Sequence, residues 1–494
     1  MTPLVAAENA KAGSTAWLPQ RLRFTPGGTR GEFIGASDQV TWLDSGRSHA
    51  IEGWCSEPSV RAGHRLAVYV STAPAVDFTL DIFRMGYYGG LGARHMAAFG
   101  PLRGSEQPDP TPRTGRLIEC AWEPSHEFTI PDDWPSGVYL GKLARLDNGI
   151  ESYVIFVVRD EREAHLIAQT SDFTWQAYNR WPYAHSLYSN GDDDLTAYYG
   201  TDVAVSFDRP YLSTTYFNSP LPGSGEFFVF EYPFIFWLER MGYDVTYCSN
   251  LDTHRGTAEF SRATGFLSIG HDEYVTVSMY ENLMAARDSG VSLGFFNGNS
   301  YCFNVDLRAG TDGRPDRVFS RADAFGPDRS PGSGYVPHPD EAAYGDVYPF
   351  PLLAPDEGLL MGARNHWPVE GVGDWVCSLP DHWIFDGTGM REGESIPNLV
   401  GHEWHGNPAD IPGLEVVSRG RTWEPGLGDG EYSATVYPGP DGNIVFNAAT
   451  CWWGSGLSHP PGFQRPTWHE MPSGLPDDRV QRITQNVLDR MIER

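Results

Sequence analysis

The chain has 494 residues, more than one hydrophobic core accommodates, since single cores stop growing at roughly 250 to 300 residues, so two domains are expected. With 40% hydrophobic and 13% aromatic residues it falls among folded globular proteins. A formal net charge of −28 excludes broad contact with phosphate backbones or anionic lipid, which depends on Lys and Arg, so neither nucleic acid nor a membrane surface is an expected partner.

Met1 to Thr15 carries no basic start and no sustained apolar run, and nowhere do about 18 apolar residues follow one another. Neither a secretory leader nor a spanning helix is expected, and the expected compartment is the cytoplasm. Cys55, Cys120, Cys248, Cys302, Cys377 and Cys451 lie far apart without CxxC spacing, which predicts buried thiols rather than a thiolate metal site or a disulfide framework.

From about Phe33 to Val158 short alternating runs are broken by Gly, Pro and Asp: Leu66 to Val70, Phe78 to Phe83, Val138 to Leu143 and Tyr153 to Val158. That pattern predicts an antiparallel β-sandwich over 15–160, with no helix of any length in it. The charged run Arg159 to Glu163 marks a boundary, and residues 163–494 read as an α/β domain. Its clearest unit is a strand Phe266 to Gly270, a loop, a helix from Ser278 to about Asp288, and a second buried strand Val291 to Phe296. Ser278 with Glu281 three residues on predicts a capping box there. Tyr243 to Tyr247 and Ile444 to Phe446 add strands, while Val480, Ile483, Val487, Leu488 and Met491 share one face of a closing helix. The expected class is therefore mixed: a β-sandwich followed by a mainly parallel sheet in glutamine-amidotransferase or flavodoxin-like layering. A Gly-, Pro- and Asp-rich insertion at about 306–383 is expected to be long loops, with or without a small subdomain. No repeat at a solenoid period is present.

In open α/β sheets ligands bind beyond the carboxyl ends of the strands, where His271-Asp272-Glu273-Tyr274 falls. The loop can hold a hard metal ion and a water, or it can be a solvated loop whose acids favour the next helix N-terminus. Asn299 in Asn297-Gly298-Asn299-Ser300 should emerge beside it, either to orient a carbonyl or simply as a turn former. The aromatic stretch Phe173 to Tyr188 reads as core, although tyrosinates can ligate ferric iron and two phenolates with a carboxylate neutralise a trivalent charge. Gly401-His402-Glu403-Trp404-His405-Gly406 places an acid between two histidines: a base, a ligand or a surface loop. GxSxG, HExxH and Walker patterns are absent, and Gly86 to Gly90 opens no helix, so serine hydrolase, zincin and nucleotide-binding readings lose support.

Seven segments in order carry a resemblance: Phe83-Arg84-Met85-Gly86-Tyr87-Tyr88-Gly89-Gly90, Trp134-Pro135-Ser136-Gly137-Val138-Tyr139, Thr174-Trp175-Gln176-Ala177-Tyr178-Asn179, Ser186-Leu187-Tyr188, Gly270-His271-Asp272-Glu273-Tyr274, Asp381-His382-Trp383 with Gly387-Thr388-Gly389, and Gly401-His402-Glu403. Together they resemble the family of the N,N-dimethylformamidase large (beta) subunit, C-terminal domain type. The resemblance implies an amidohydrolase with a mononuclear Fe(III) held by Tyr178, Tyr188 and Glu273, with Tyr183 and Tyr211 as alternative tyrosines. It further implies His271 and Glu403 as acid and base, and Asn299 at the substrate carbonyl. Arg321 stands nearest to where the family has a lysine; a guanidinium stays protonated and stabilises charge rather than moving a proton. Pro182-Tyr183-Ala184 stands where the resemblance implies a Gly-Gly pair between the two tyrosine motifs, a departure expected to narrow or reshape the pocket.

The expected reaction is hydrolysis of the C–N bond of a small amide, N-substituted or not, by iron-activated water. Its rivals are another C–N hydrolysis or tailoring step at the same iron, and a non-catalytic carbohydrate-binding or scaffold protein. A small subunit like the one that accompanies the family enzyme is not evident, and a homo-oligomer is compatible with the sequence.

Overall fold

A computed structural model describes residues 4–24, 33–35, 46–189, 200–212, 221–327, 352–424, 428–463, 465 and 475–493. Toward the N-terminus a pair of sheets pack face to face. The larger runs Phe33–Gly35, Leu22–Phe24, Glu151–Arg159, Gly137–Arg145, Phe78–Met85, Ala93–Leu102, with Ser59–Arg61 also paired to Glu151–Arg159. Ile51–Cys55, Arg65–Thr72 and His126–Thr129 form the smaller. Alternation is what builds the space between them: Leu66, Val68 and Val70 meet Leu80, Ile82, Leu143, Val154 and Phe156. Pairing is antiparallel except where Leu22 meets Glu151 and Ser59–Arg61 meets Val157–Arg159.

The strand Glu151–Arg159 departs from simple alternation, because eight of its nine residues are buried. Val154, Phe156 and Val158 enter the sandwich core, while Tyr153, Ile155 and Val157 enter a larger core continuous with the C-terminal region. Arg84 and Glu239 join the two regions, both fully buried, through contacts of 2.8 and 3.0 Å. Ser136 O accepts from Arg84, and Tyr247 and Asn9 donate to Glu239, so the pair is well satisfied. Removing one partner strands the other charge: Glu239→Ala is expected to cost about 3 kcal/mol in urea unfolding, and a loss below 1 kcal/mol would show the contact is dispensable.

The C-terminal region is built on a nine-stranded sheet. Val245–Ser249, Ala164–Thr170, Ala263–Gly270, Ser292–Asn297 and Ile444–Asn447 lie side by side and parallel. Gly428–Pro438, Glu415–Glu424, Ala363–Val376 and Ser395–Pro408 continue it antiparallel. The mainly parallel sheet expected from the sequence is thus corrected to one that is parallel in one half and antiparallel in the other; short connections join Glu415–Glu424 to Gly428–Pro438 and that strand to Ile444–Asn447, which forces these neighbours antiparallel without a crossover helix. A smaller four-stranded sheet, Ala204–Ser206, Val318–Ala324, Phe303–Arg308 and Tyr274–Val275, lies beside it.

The strand–loop–helix–strand unit stands as Ala263–Gly270, Val277–Asp288 and Ser292–Asn297. Its cap differs from the expected one: Thr276, extended at φ −110°, accepts from Met279 N at 3.2 Å, and Ser278 lies inside the helix. Asp477 caps Asp478–Ile492, whose residues Val480, Ile483, Val487, Leu488 and Met491 are all buried. In the region expected to be long loops, with or without a small subdomain, Val318–Ala324 and Ala363–Val376 are strands, so loops alone do not describe it; residues 328–351 of it lie outside the described residues. All six cysteines are free and buried. Among the described residues no helix is long and apolar enough to cross a membrane.

Candidate metal centre

The five parallel strands end along one edge, and the site is assembled there. Gly270 turns the chain at φ +86°, and a Cβ on it would lie 2.9 Å from the Glu231 carboxyl carbon, so both backbone and space demand glycine. In the loop that follows, successive side chains diverge. Asp272 turns into the sheet edge and accepts from Ser268 (2.7 Å), Gln169 (2.7 Å) and Asn250 (2.8 Å). His271 and Glu273 face the other way. Thr174, in the helix Asp172–Tyr178 that follows the adjacent strand, accepts from the backbone N–H of Glu273 (3.0 Å) and Tyr274 (3.2 Å), fixing loop to helix.

Tyr178, the last residue of that helix, donates to Glu273 Oε2 at 2.6 Å. Tyr188 lies 2.8 Å from the Tyr178 oxygen and 3.1 Å from Glu273 Oε1, and the two phenol rings stack at 4.6 Å. Three oxygen donors expected to share an ion are therefore brought together. Tyr183 is 59% exposed and Tyr211 is bonded to Gln176 against Trp175, so neither competes.

The strand Ser395–Pro408 crosses this edge and supplies the second acid. Gly298 makes the crossing possible, because a Cβ there would lie 2.1 Å from the Glu403 carbonyl oxygen. Glu403 Oε2 is 2.6 Å from His271 Nε2, Glu403 Oε1 is 3.3 Å from His402 Nε2, and His271 Nε2 is 3.6 Å from Glu273 Oε2. His271, His402 and Glu403 also form a group whose ligand atoms lie within 4.8 Å of one another. Their neighbour His405 belongs elsewhere: Ser300 N donates to its Nε2 at 2.9 Å, Nδ1 bonds Asn447 Oδ1 at 2.9 Å, and burial pushes its pKa down to about 4.

Asn299 occupies a left-handed conformation at φ +51°, buried, with Tyr301 N and Cys302 N bonded to the carbonyls of Asp272 and Glu273. Its turn is therefore tied to the acidic loop. Arg321 donates to the Tyr274 hydroxyl (3.1 and 2.7 Å) and to Leu187 O (2.8 Å), and its guanidinium lies 4.4 Å over the Tyr188 ring. Sequence reasoning missed two participants. Glu226, fully buried with its Oε2 3.7 Å from His271 Nδ1, carries no motif signal. Thr174 stood inside a recognised segment but without a role.

The electrostatics follow from burial. Burial first, then Glu403, lifts the Glu273 carboxyl to about 8, against the opposing pull of His271, the Tyr178 hydrogen bond and Arg321. Burial and Glu273 drive the Tyr178 phenol well above its ordinary value. Although burial opposes both, His402 and His271 hold Glu403 well below the usual carboxylate range, and Glu403 in turn holds His271 well above the usual imidazole range. Alone, this pocket keeps the Glu273 carboxyl and the Tyr178 phenol protonated, and a hard cation reverses that preference. Two phenolates and one carboxylate, all oxygen and walled by aromatic rings, suit a trivalent hard ion.

Glu231, packed under Gly270, accepts from Trp175 Nε1 at 2.8 Å, and burial lifts its carboxyl from the ordinary 4.5 to about 8. The folded protein thus holds an extra proton between those values. Stability from this group is present below about pH 4.5 and lost as pH rises through 8. Glu231→Gln is expected to match the parent near pH 5 and to exceed it by roughly 2 to 4 kcal/mol at pH 9, read from denaturation across pH. Parallel pH profiles for the two proteins would contradict this.

A family model described as N,N-dimethylformamidase beta subunit-like, C-terminal, matches residues 79–467. No curated protein matches the chain.

Proposed function

The chain belongs to the N,N-dimethylformamidase beta subunit-like family, and we propose that it hydrolyses the C–N bond of a small, N-substituted amide at a mononuclear ferric ion held by Tyr178, Tyr188 and Glu273. The observation that carries the reading is the meeting of these three side chains, 95 and 85 residues apart in sequence, within hydrogen-bond distance of one another and beside the His271–Glu403 pair. When bound, the ion supplies Lewis acidity, polarising an amide carbonyl or lowering the pKa of a water.

The remaining roles fall to the chain's own groups. The His271–Glu403 pair takes the proton of the attacking water and returns one to the leaving amine nitrogen, as cleavage of a C–N bond requires. Asn299, on the turn held against the Asp272–Glu273 backbone, orients the carbonyl. Phe230, 5.2 Å from the His271 ring and stacked on Trp452, helps keep bulk water from the pair.

The cluster of His271, His402 and Glu403 favours a second reading, in which a borderline divalent ion such as zinc binds two imidazoles and a carboxylate. Elemental analysis of protein purified without chelator separates the two. About one iron per chain with a visible tyrosinate charge-transfer band supports the first; zinc without colour supports the second. Protein free of both ions that retains on a saccharide column instead supports a binding or scaffold role. Hydrolysis products of small formamides and acetamides, compared with those of other C–N substrates, separate amide cleavage from a different reaction at the same centre.

A further inference from the structure

We infer that Tyr274 and Arg321 form a device that withdraws electron density from Tyr188, making it a weaker donor to a bound ion than an unassisted tyrosinate. This rests on the reading of Tyr188 as a ligand. A phenol carries one proton and two acceptor positions. Arg321 Nε and Nη2 both donate to the Tyr274 oxygen, at 3.1 and 2.7 Å, and so occupy its acceptor side. Tyr274 is also hydrogen-bonded to Tyr188. While Tyr188 keeps its proton this contact lowers the Tyr274 pKa, the sign of a bond donated by Tyr188; as an ionised ligand Tyr188 has no proton to give, so Tyr274 is then the donor and the Tyr188 oxygen accepts.

Arg321 acts on the same ring by a second route. Its guanidinium carbon lies 4.4 Å from the centre of the Tyr188 ring, and Nη1 donates to Leu187 O at 2.8 Å, one residue before Tyr188, so the cation is pinned over the face. The Phe303 ring centre also lies 5.2 Å from this guanidinium carbon. A hydrogen bond at the oxygen and a positive charge on the face both stabilise charge on the phenolate, and both reduce what it gives to a metal. Tyr274 and Arg321 are accordingly positioning residues that act through Tyr188. The consequence for the reaction is an ion that keeps more of its Lewis acidity than two unmodified tyrosinates would leave it. The fork matters here. A lysine at 321 would place one compact charge and could not hold the hydroxyl from two nitrogens while standing over the ring.

Visible absorption of ferric-loaded protein tests this without any substrate. Tyr274→Phe removes the donor and is expected to keep the parent's iron content while its tyrosinate-to-iron band moves to longer wavelength, because a richer phenolate transfers charge more easily. Arg321→Met should move the band the same way, and Arg321→Lys less far. An unmoved band in Tyr274→Phe at equal iron content overturns the inference and leaves the ligand set standing. Should Tyr274→Phe lose its iron or fail to fold, the Arg321→Lys band decides, and an unmoved band there overturns it too. A parent that binds iron without any such band overturns the ferric tyrosinate site and this inference together.

Discussion

Replacing Glu273 by Gln is expected to strip the protein of iron and to lower kcat/KM on a small N-substituted amide by about 10⁴-fold or more, ~5.5 kcal/mol of transition-state stabilisation. The size follows from position. Glu273 is the carboxylate that meets both phenols, at 2.6 Å from Tyr178 and 3.1 Å from Tyr188, and in the proposed ferric site it is the charge that would complete neutralisation of a trivalent ion. A glutamine keeps the shape and loses the charge. Its amide offers one neutral oxygen, so in a buried pocket the two phenols have less reason to ionise. Iron per chain, the charge-transfer band and the rate should fall together. A Gln variant with full iron and full activity would remove Glu273 from the site and the proposal with it. Asp272→Asn is the instructive comparison: Asp272 faces Ser268, Gln169 and Asn250, so this change should disturb stability before it disturbs iron content.

How much of this was legible in the sequence depended on the range of the interaction involved. The unit around Ala263–Gly270 and Val277–Asp288 could be read because its signals are local: a buried apolar strand, a polar loop, then Met279, Leu283 and Ala286 on one helix face. Even there the cap was misplaced by two residues, since Ser278 and Thr276 both offer a hydroxyl and only the extended backbone at Thr276 selects between them. The closing helix was plain for the same local reason. Burial of Glu151–Arg159 on both faces was hidden, because periodicity reports one core and this strand serves two. Ser395–Pro408 is a long strand carrying Gly401, two prolines, two histidines and a glutamate; pairing with Ala363–Val376, not propensity, makes it one.

At the site the same division holds. Strand position marked the His271–Tyr274 loop from residues alone, yet nothing in its spacing separates Asp272, which turns into the sheet, from Glu273, which turns out; the partners Gln169 and Asn250 decide that, and they lie far off in sequence. The tyrosines entered by resemblance to a family, and the approach of Glu403 to His271 across 132 residues depends on a strand crossing at Gly298 that no local pattern announces. Glu226 shows the limit most clearly, since a lone glutamate between glycine and phenylalanine reads as surface and is instead buried beside an imidazole.

Glu403→Gln should separate proton transfer from metal binding. Glu403 touches His271 at 2.6 Å and His402 at 3.3 Å, so in the ferric reading its loss leaves Tyr178, Tyr188 and Glu273 in place. Iron content is expected to stay near that of the parent while kcat falls about 10³-fold, ~4 kcal/mol, the range for losing a positioned acid or base. Loss of the metal together with activity would instead favour the His271–His402–Glu403 donor set. Metal-free protein gives an independent check through pH. Glu403 is held below its ordinary value near 4.5, so its contribution to stability is present above that pH and lost as pH falls through the lower folded value. His271 is held above 6.5, so its contribution is present below that pH and lost as pH rises through the higher folded value. The pair therefore stabilises the fold across a window that includes neutrality. Gln at 403 ends the attraction and leaves buried His271 with Glu226, 3.7 Å away on its other nitrogen, as the remaining carboxylate contact near the ring besides Glu273. The expected result is a loss of about 3 kcal/mol at pH 7 that narrows toward both extremes. A loss that is constant with pH would mean that His271 and Glu403 meet as neutral hydrogen-bond partners, and the roles of acid and base would then have to be sought on other residues.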